Sequence, residues 1–244
     1  MELEHTEEEL ELKRAELARR FSESSQNWNG TRFERLSVRD LELLLDLYRD
    51  VFFGKWWHRE VGDQLTFSLS TRMTKSAGKT IVKRKLQGPA HHPVSFEIRI
   101  GVDFFLQFDA VERSKVVCGL PAPSALWALI FVFEHELCHV IEALYYPKTD
   151  CSKEPFKALA RRLFGHRSSY HELPTTREIA YQQMGLKVGD KVAFRHQAHT
   201  NTGIIAAINK RATVMVPSKN GLYMDKRGTR YDKYYVPLSL ITAR

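Results

Sequence analysis

Cysteine is scarce in this chain. Only Cys118, Cys138 and Cys151 occur among 244 residues. An odd count without a CxxC pair argues against a disulfide framework and against a zinc ribbon. No apolar leader opens the sequence. Residues 1–20 carry seven acids and four bases, so no secretory signal is expected, and the expected setting is reducing and intracellular. A long hydrophobic run is also missing. The most apolar stretch, residues 125–133, is nine residues long, whereas a membrane span needs about 20. No membrane partner is expected.

Glycine and proline are absent from one place in particular, residues 125–146. Ser124 offers an N-cap hydroxyl there, and Pro147 biases Tyr146 away from helical geometry. The spacing predicts a helix, apolar all round in its first half and therefore buried. Its second half holds His135-Glu136-Leu137-Cys138-His139, an HExxH pentapeptide. Residues four apart share a helix face, so both imidazoles can hold one metal ion. Glu136 then lies beside the open coordination position and is the candidate general base. Two imidazoles and a carboxylate at the end of a greasy helix are costly to bury unless satisfied, and Zn2+ would satisfy them.

The charge is unevenly spread. The net charge is +8, and residues 184–244 alone carry eleven Lys and Arg against three Asp, a balance of +8. A basic module favours an acidic partner, most simply nucleic acid. Candidate phosphate contacts are Lys191, Arg195, Lys210 and Arg211.

Three regions follow from the periodicity. Residues 1–30 read as an exposed charged helix or short coiled coil plus a polar linker at 22–30. Residues 31–183 read as an α+β domain: a helix capped by Ser37, a three-stranded antiparallel sheet, the HExxH helix and a second helix near 153–164. Its strands are expected at 65–73, 80–86 and 94–105, with a turn at Gly78 and a loop at 87–93. His91 and His92 are read there as ordinary loop residues. Helix, sheet, HExxH helix and second helix in that order are common to zinc peptidases, and the sheet edge can bind an extended peptide. Residues 184–244 read as about five short strands forming an SH3-like β-barrel of KOW or Tudor type.

Three stretches, FSLSTRMTKSAGKT (67–80), EHELCHVIEA (134–143) and EPFKALARRLFGH (154–166), together resemble the SprT-like metalloprotease family, which includes the Spartan and Wss1 proteases. The resemblance covers residues 38–171. It implies a zincin-like fold, a zinc endopeptidase activity and, for Spartan-type members, protein substrates crosslinked to DNA. The family usually places its third zinc ligand, a histidine, in a segment like HGxxF. The matching residues here are Cys151-Ser152-Lys153-Glu154-Pro155-Phe156, without a histidine. Cys151 is therefore the leading candidate for third ligand, with His166 and His171 as alternatives. Glu142, on the same helix face as His135 and His139, is expected to support a histidine. His171 or Tyr170 are candidate donors to a developing oxyanion. The altered ligand segment keeps a competing expectation open, a nucleic-acid-binding module with a structural or degenerate metal site. A third is a fold reused on a target other than DNA.

Overall fold

The computed structural model describes residues 5–84 and 93–243. His91 and His92, with the rest of the expected loop up to residue 92, lie outside the described residues, as do residues 85 and 86 of the expected second strand. The chain is mixed α+β and divides into two compact units, Met1–Leu173 and Pro174–Arg244.

The first unit begins with α1, Glu7–Ser24. Thr6 and Glu9 close a capping box at its start, with the Thr6 amide donating to the Glu9 carboxylate at 2.8 Å. The helix is not the exposed or coiled-coil element expected from its charge. Leu10, Arg14, Leu17 and Phe21 form one buried stripe on it. The segment expected as a linker is also packed: Trp28 bridges to Phe33, their rings 4.9 Å apart. Asn27, buried, donates to Asp40 at 2.6 Å. Asp40 lies in α2, Val38–Tyr48, which continues into one π-helical turn at Arg49–Phe53 and then α3, Lys55–Glu60.

The sheet comprises β1 (Leu65–Ser70), β2 (Gly78–Arg84) and β3 (Pro93–Gly101), in the order β1-β3-β2. It is mixed rather than antiparallel as expected. β3 inserts between its two predecessors and runs parallel to β1 and antiparallel to β2. Phe96, Ile98 and Ile100 alternate inward and are buried. The expected third strand ends early, because residues 103–106 turn into α4, Asp103–Leu106. Gly78 begins a strand rather than a turn. A two-residue hairpin, β4 (Val116–Val117) and β5 (Leu120–Pro121), follows. Its turn residues, Cys118 at φ 53° and Gly119 at φ 77°, take the positive φ of a type I′ turn.

α5, Ala125–Tyr145, runs through the middle of the core, and α6, Glu154–Phe164, packs beside it. Pro155 sits in the first turn of α6, and Gly165 at φ 60° ends it.

The second unit opens with α7, Thr176–Met184. The division falls ten residues before the expected boundary at 183, because Ala180 of α7 and Leu186 are buried with Val192, Phe194, Ile205 and Val214. β6 (Lys191–His196), β7 (His199–Ile208), β8 (Arg211–Pro217), β9 (Tyr223–Met224), β10 (Arg230–Pro237) and β11 (Thr242–Ala243) form one antiparallel sheet in the order β11-β6-β7-β8-β10-β9. Six strands thus replace the five expected.

Candidate metal centre

Helix α5 starts where its sequence dictates. The Ser124 hydroxyl accepts from the Trp127 amide at 3.4 Å, and Tyr146, before Pro147, is extended. The Arg84 guanidinium donates to the carbonyls of Ala143 and Tyr146 at 3.0 and 2.8 Å. These are carbonyls a helix end leaves unsatisfied, so Arg84 pins the far end of β2 to α5.

His135 and His139 project side by side, ring centroids 5.0 Å apart. Phe156 of α6, fully buried, packs against both rings at 4.7 and 4.3 Å. The Asp150 carboxylate accepts from the Ser152 amide at 2.9 Å, closing a turn that carries Cys151 toward them. Donor atoms of His135, His139 and Cys151 all lie within 4.8 Å of one another. Glu142 Oε2 stands 3.4 Å from His139 Nδ1, behind that ring.

The charges follow from this packing. Burial, with His139 nearby, pushes the His135 imidazole down to about 3, so it stays neutral with a lone pair available. Burial would also lower His139, but Cys151, Glu142 and Glu136 outweigh it and raise that ring to about 9. The two rings are thus held in different states, His135 neutral and His139 beside acceptors that favour its proton. Glu136 is buried, and burial raises its carboxyl despite the Thr80 hydroxyl, which donates to Oε2 at 2.7 Å. A Cβ on Gly78 would stand 2.4 Å from Glu136 Oε1. Only a glycine lets β2 approach the carboxylate so closely.

The other candidates fall elsewhere. His166 is buried, and its Nε2 stands 2.9 Å from Glu134 Oε2. A second cluster of donors within 4.8 Å of one another joins His166, His135 and Cys118. Cys118 Sγ lies 3.7 Å from His135 Nδ1, and its thiol donates to the Phe131 carbonyl at 3.8 Å. His171 is in neither cluster. Its Nε2 accepts from the Ala77 amide at 3.0 Å, which turns that nitrogen away from a donor role. Tyr170 is 64% exposed. His135, Glu136, His139, Cys118, Cys151 and His171 nevertheless line one cavity of about 250 Å³, as do Gly78 and Thr80.

Sequence reasoning missed Thr80, Gly78, Cys118 and Glu134. Glu134 lies beneath the site, fully buried. It accepts from Arg14 Nε and Nη2 at 2.8 and 2.7 Å and from the Tyr48 hydroxyl at 2.9 Å. Burial alone would raise its carboxyl, but Arg14 and His166 hold it below the usual range. Arg14 also donates to the Phe164 carbonyl, so one ion pair ties together α1, α2, α5 and the end of α6. The one signal for Glu134 was an acid adjoining a histidine in an otherwise apolar helix.

Lys191, Arg195, Lys210 and Arg211 are all exposed. Lys191 pairs with Ile204 in the middle of β7, between two hairpins that carry the others. Arg195 adjoins the β6–β7 hairpin, and Lys210 and Arg211 make the β7–β8 hairpin. These are opposite ends of the ten-residue β7, a separation of about 30 Å at ~3.3 Å per residue. No helix among the described residues is long and apolar enough to cross a membrane.

No family model, no curated protein and no solved structure matches this chain.

Proposed function

We propose that the first unit is a zincin-like, SprT-like zinc endopeptidase and that the second is an SH3-like barrel that brings it to nucleic acid. The observation that carries this reading is the meeting of His135, His139 and Cys151 beside a buried glutamate, at one cavity.

The donor set suits zinc. Two imidazole nitrogens and a sulfur are ordinary zinc ligands, and bonds of about 2.0–2.3 Å need donors a few ångströms apart. Each cluster among the described residues offers three protein donors, the number typical of catalytic rather than structural zinc sites. Glu142 behind His139 is placed to orient that ring, as a carboxylate behind a ligating histidine commonly does.

A zinc ion held there would supply Lewis acidity to the scissile carbonyl and to the attacking water. The protein's own residues do the rest. Glu136 takes the water's proton and passes it to the leaving nitrogen. Its carboxyl is raised by burial, the direction that favours holding the proton between the two transfers. Thr80 holds Oε2, so the base keeps one orientation. β2, at the edge of its sheet and joined to α5 at both ends, offers backbone on which an extended substrate can pair.

The substrate class rests on the second unit's charge. An excess of basic residues there favours nucleic acid, so DNA-associated or DNA-crosslinked proteins are the proposed substrates. The return of β11 to β6 supports a barrel-like closure. The test is zinc-loaded protein incubated with a DNA-bound protein, alongside Glu136→Gln. Cleavage by the wild type alone supports the reading. Equal cleavage by both, or zinc retained with no cleavage of any DNA-bound protein, overturns it, the latter in favour of a structural metal site in a binding module.

A further inference from the structure

A second cavity, of about 450 Å³, opens beside the metal site. Ser169 and Tyr170 line both, so the two are neighbours across a shared wall. The chemistry of the second is different. Its lining includes three cations, Lys157, Arg161 and Arg167, and no acid. Lys157 and Arg161 are four apart on α6 and share a face. Arg161 reaches Glu154 only at 3.9 Å, and Arg167 reaches Glu7 at 3.2 Å, both as exposed pairs. Such pairs are weak and readily exchanged for an incoming anion.

Two polar groups in the same lining are buried and, among the described residues, lack a hydrogen-bond partner: Nδ1 of His166 and Oγ of Ser168. His166 is only 3% exposed. Buried polar groups are normally satisfied, and the Ser168 hydroxyl is a good donor to an anion; with Nε2 of His166 facing the Glu134 carboxylate, its Nδ1 is left as an acceptor that a bridging water can meet. Three cations at the mouth, no acid in the lining and an unsatisfied hydroxyl behind them describe an anion site.

We propose that this cavity takes an acidic side chain of the polypeptide bound at the metal centre, an Asp or Glu within a residue or two of the scissile bond. The proposal rests on the peptidase reading and names the substrate it selects. The shared wall sets the reach: a side chain on the cleaved chain need pass only Ser169 and Tyr170. A carboxylate matches Arg and Lys donors by charge and by hydrogen-bond geometry. A nucleic-acid backbone instead needs an extended basic track, and this is a single concave pocket.

The test uses quenched peptides that differ only in Glu, Ala or Lys at the positions flanking the cleaved bond. With the full zinc-loaded chain, the Glu peptide should exceed the Lys peptide in kcat/KM by at least about tenfold. Lys157→Glu combined with Arg161→Glu should abolish or invert that ratio. Both positions are exposed on α6, and an unchanged melting temperature shows the fold retained. A binding arm uses Glu136→Gln protein and the fluorescent Glu peptide, read by anisotropy, with inorganic phosphate or an oligonucleotide as competitor. Equal kcat/KM for the three peptides overturns the proposal, as does a preference untouched by charge reversal. So does displacement by the oligonucleotide with no preference for the Glu peptide over the Lys peptide. If no peptide is cleaved, the peptidase reading fails, and binding still decides the cavity. Tighter binding of Glu than Lys peptide, lost on charge reversal, upholds it, and equal binding overturns it.

Discussion

The hydroxyl of Thr80 donates to Oε2 of Glu136 at 2.7 Å, joining an edge strand to the helix beside it. The contact exists because Gly78, two residues earlier, has no side chain to strike the same carboxylate. If Glu136 is the base, its orientation depends on this pair. Thr80→Val should lower kcat by about 10–100-fold with zinc content unchanged, the scale of losses when an orienting partner is removed. Thr80→Ser should restore most of it. Gly78→Ala should cost more, because its Cβ would occupy the carboxylate's place. Peptidase rates with metal analysis on the same preparations check all three.

Cys151 and Cys118 approach His135 in different clusters, and only one can complete the same site as His139. With Cys151 as third ligand, Cys151→Ala should weaken zinc binding by at least about 100-fold, and Cys151→His should recover much of the loss, since either residue type ligates zinc. Cys118→Ser should leave zinc in place. Competition with a chelator of known affinity reads the difference. Zinc lost from the Cys118 variant and kept in the Cys151 variant would assign the metal to the other cluster.

Arg14 and Glu134 are 120 positions apart in sequence and almost fully buried together at 2.7 Å. Breaking such a pair from one side strands a charge in the core, at a cost of about 3–5 kcal/mol. Arg14→Ala should therefore destabilise the first unit on that scale, in denaturant unfolding followed by tryptophan fluorescence. Tyr48→Phe, which removes one hydrogen bond to the same carboxylate, should cost about 1 kcal/mol. If Arg14→Ala changes stability by no more than an exposed substitution, α1 is not part of the core.

Local signals carried much of this architecture. The HExxH helix, its Ser124 cap and its stop before Pro147 were readable because each is set within a few residues. The second helix near 153–164 was readable for the same reason, since Pro155 and Gly165 bracket it locally. The burial of α1 was not, since charged residues flank its apolar stripe and Arg14 meets its partner only in the folded chain. Strand direction was also hidden: alternation marks β1 and β3 as strands but carries no information about which neighbours pair. The neighbours of Glu136, Thr80 and Gly78, needed a strand–helix contact spanning 56 residues. The division between units escaped because α7 resembles a helix of either unit until its buried Ala180 is placed.

Asp40 sets a pH dependence away from the candidate metal centre. Burial alone would raise its carboxyl, but Ser25, Ser37 and Asn27 donate to it and hold it below its usual range. A carboxylate whose folded pKa is depressed stabilises the protein above its unfolded pKa, about 3.9, and loses that contribution as pH falls through the folded value. Asp40→Asn should thus be destabilised by about 1–3 kcal/mol at pH 7. The gap to wild type should narrow as pH drops below about 4. Paired denaturant curves at the two pH values measure it, and a constant gap would show that the ionised form of Asp40 contributes nothing.

The register of the second unit separates its cations, and this bears on how it would meet nucleic acid. Arg195 sits at one end of β7, and Lys210 and Arg211 at the other, about 30 Å away at ~3.3 Å per residue. A bound duplex spanning both ends would be weakened by either change, whereas a short contact would register only one. Each phosphate contact removed should lower the slope of log K against log salt by about one. We expect Arg195→Ala and Lys210→Ala with Arg211→Ala to reduce duplex affinity separately and additively for a 20-base-pair duplex. For a duplex too short to span the sheet, one end alone should matter. Titrations of the full chain at several salt concentrations read both slopes. An affinity that is flat with salt would remove nucleic acid as the partner of this unit and leave its positive charge without that role.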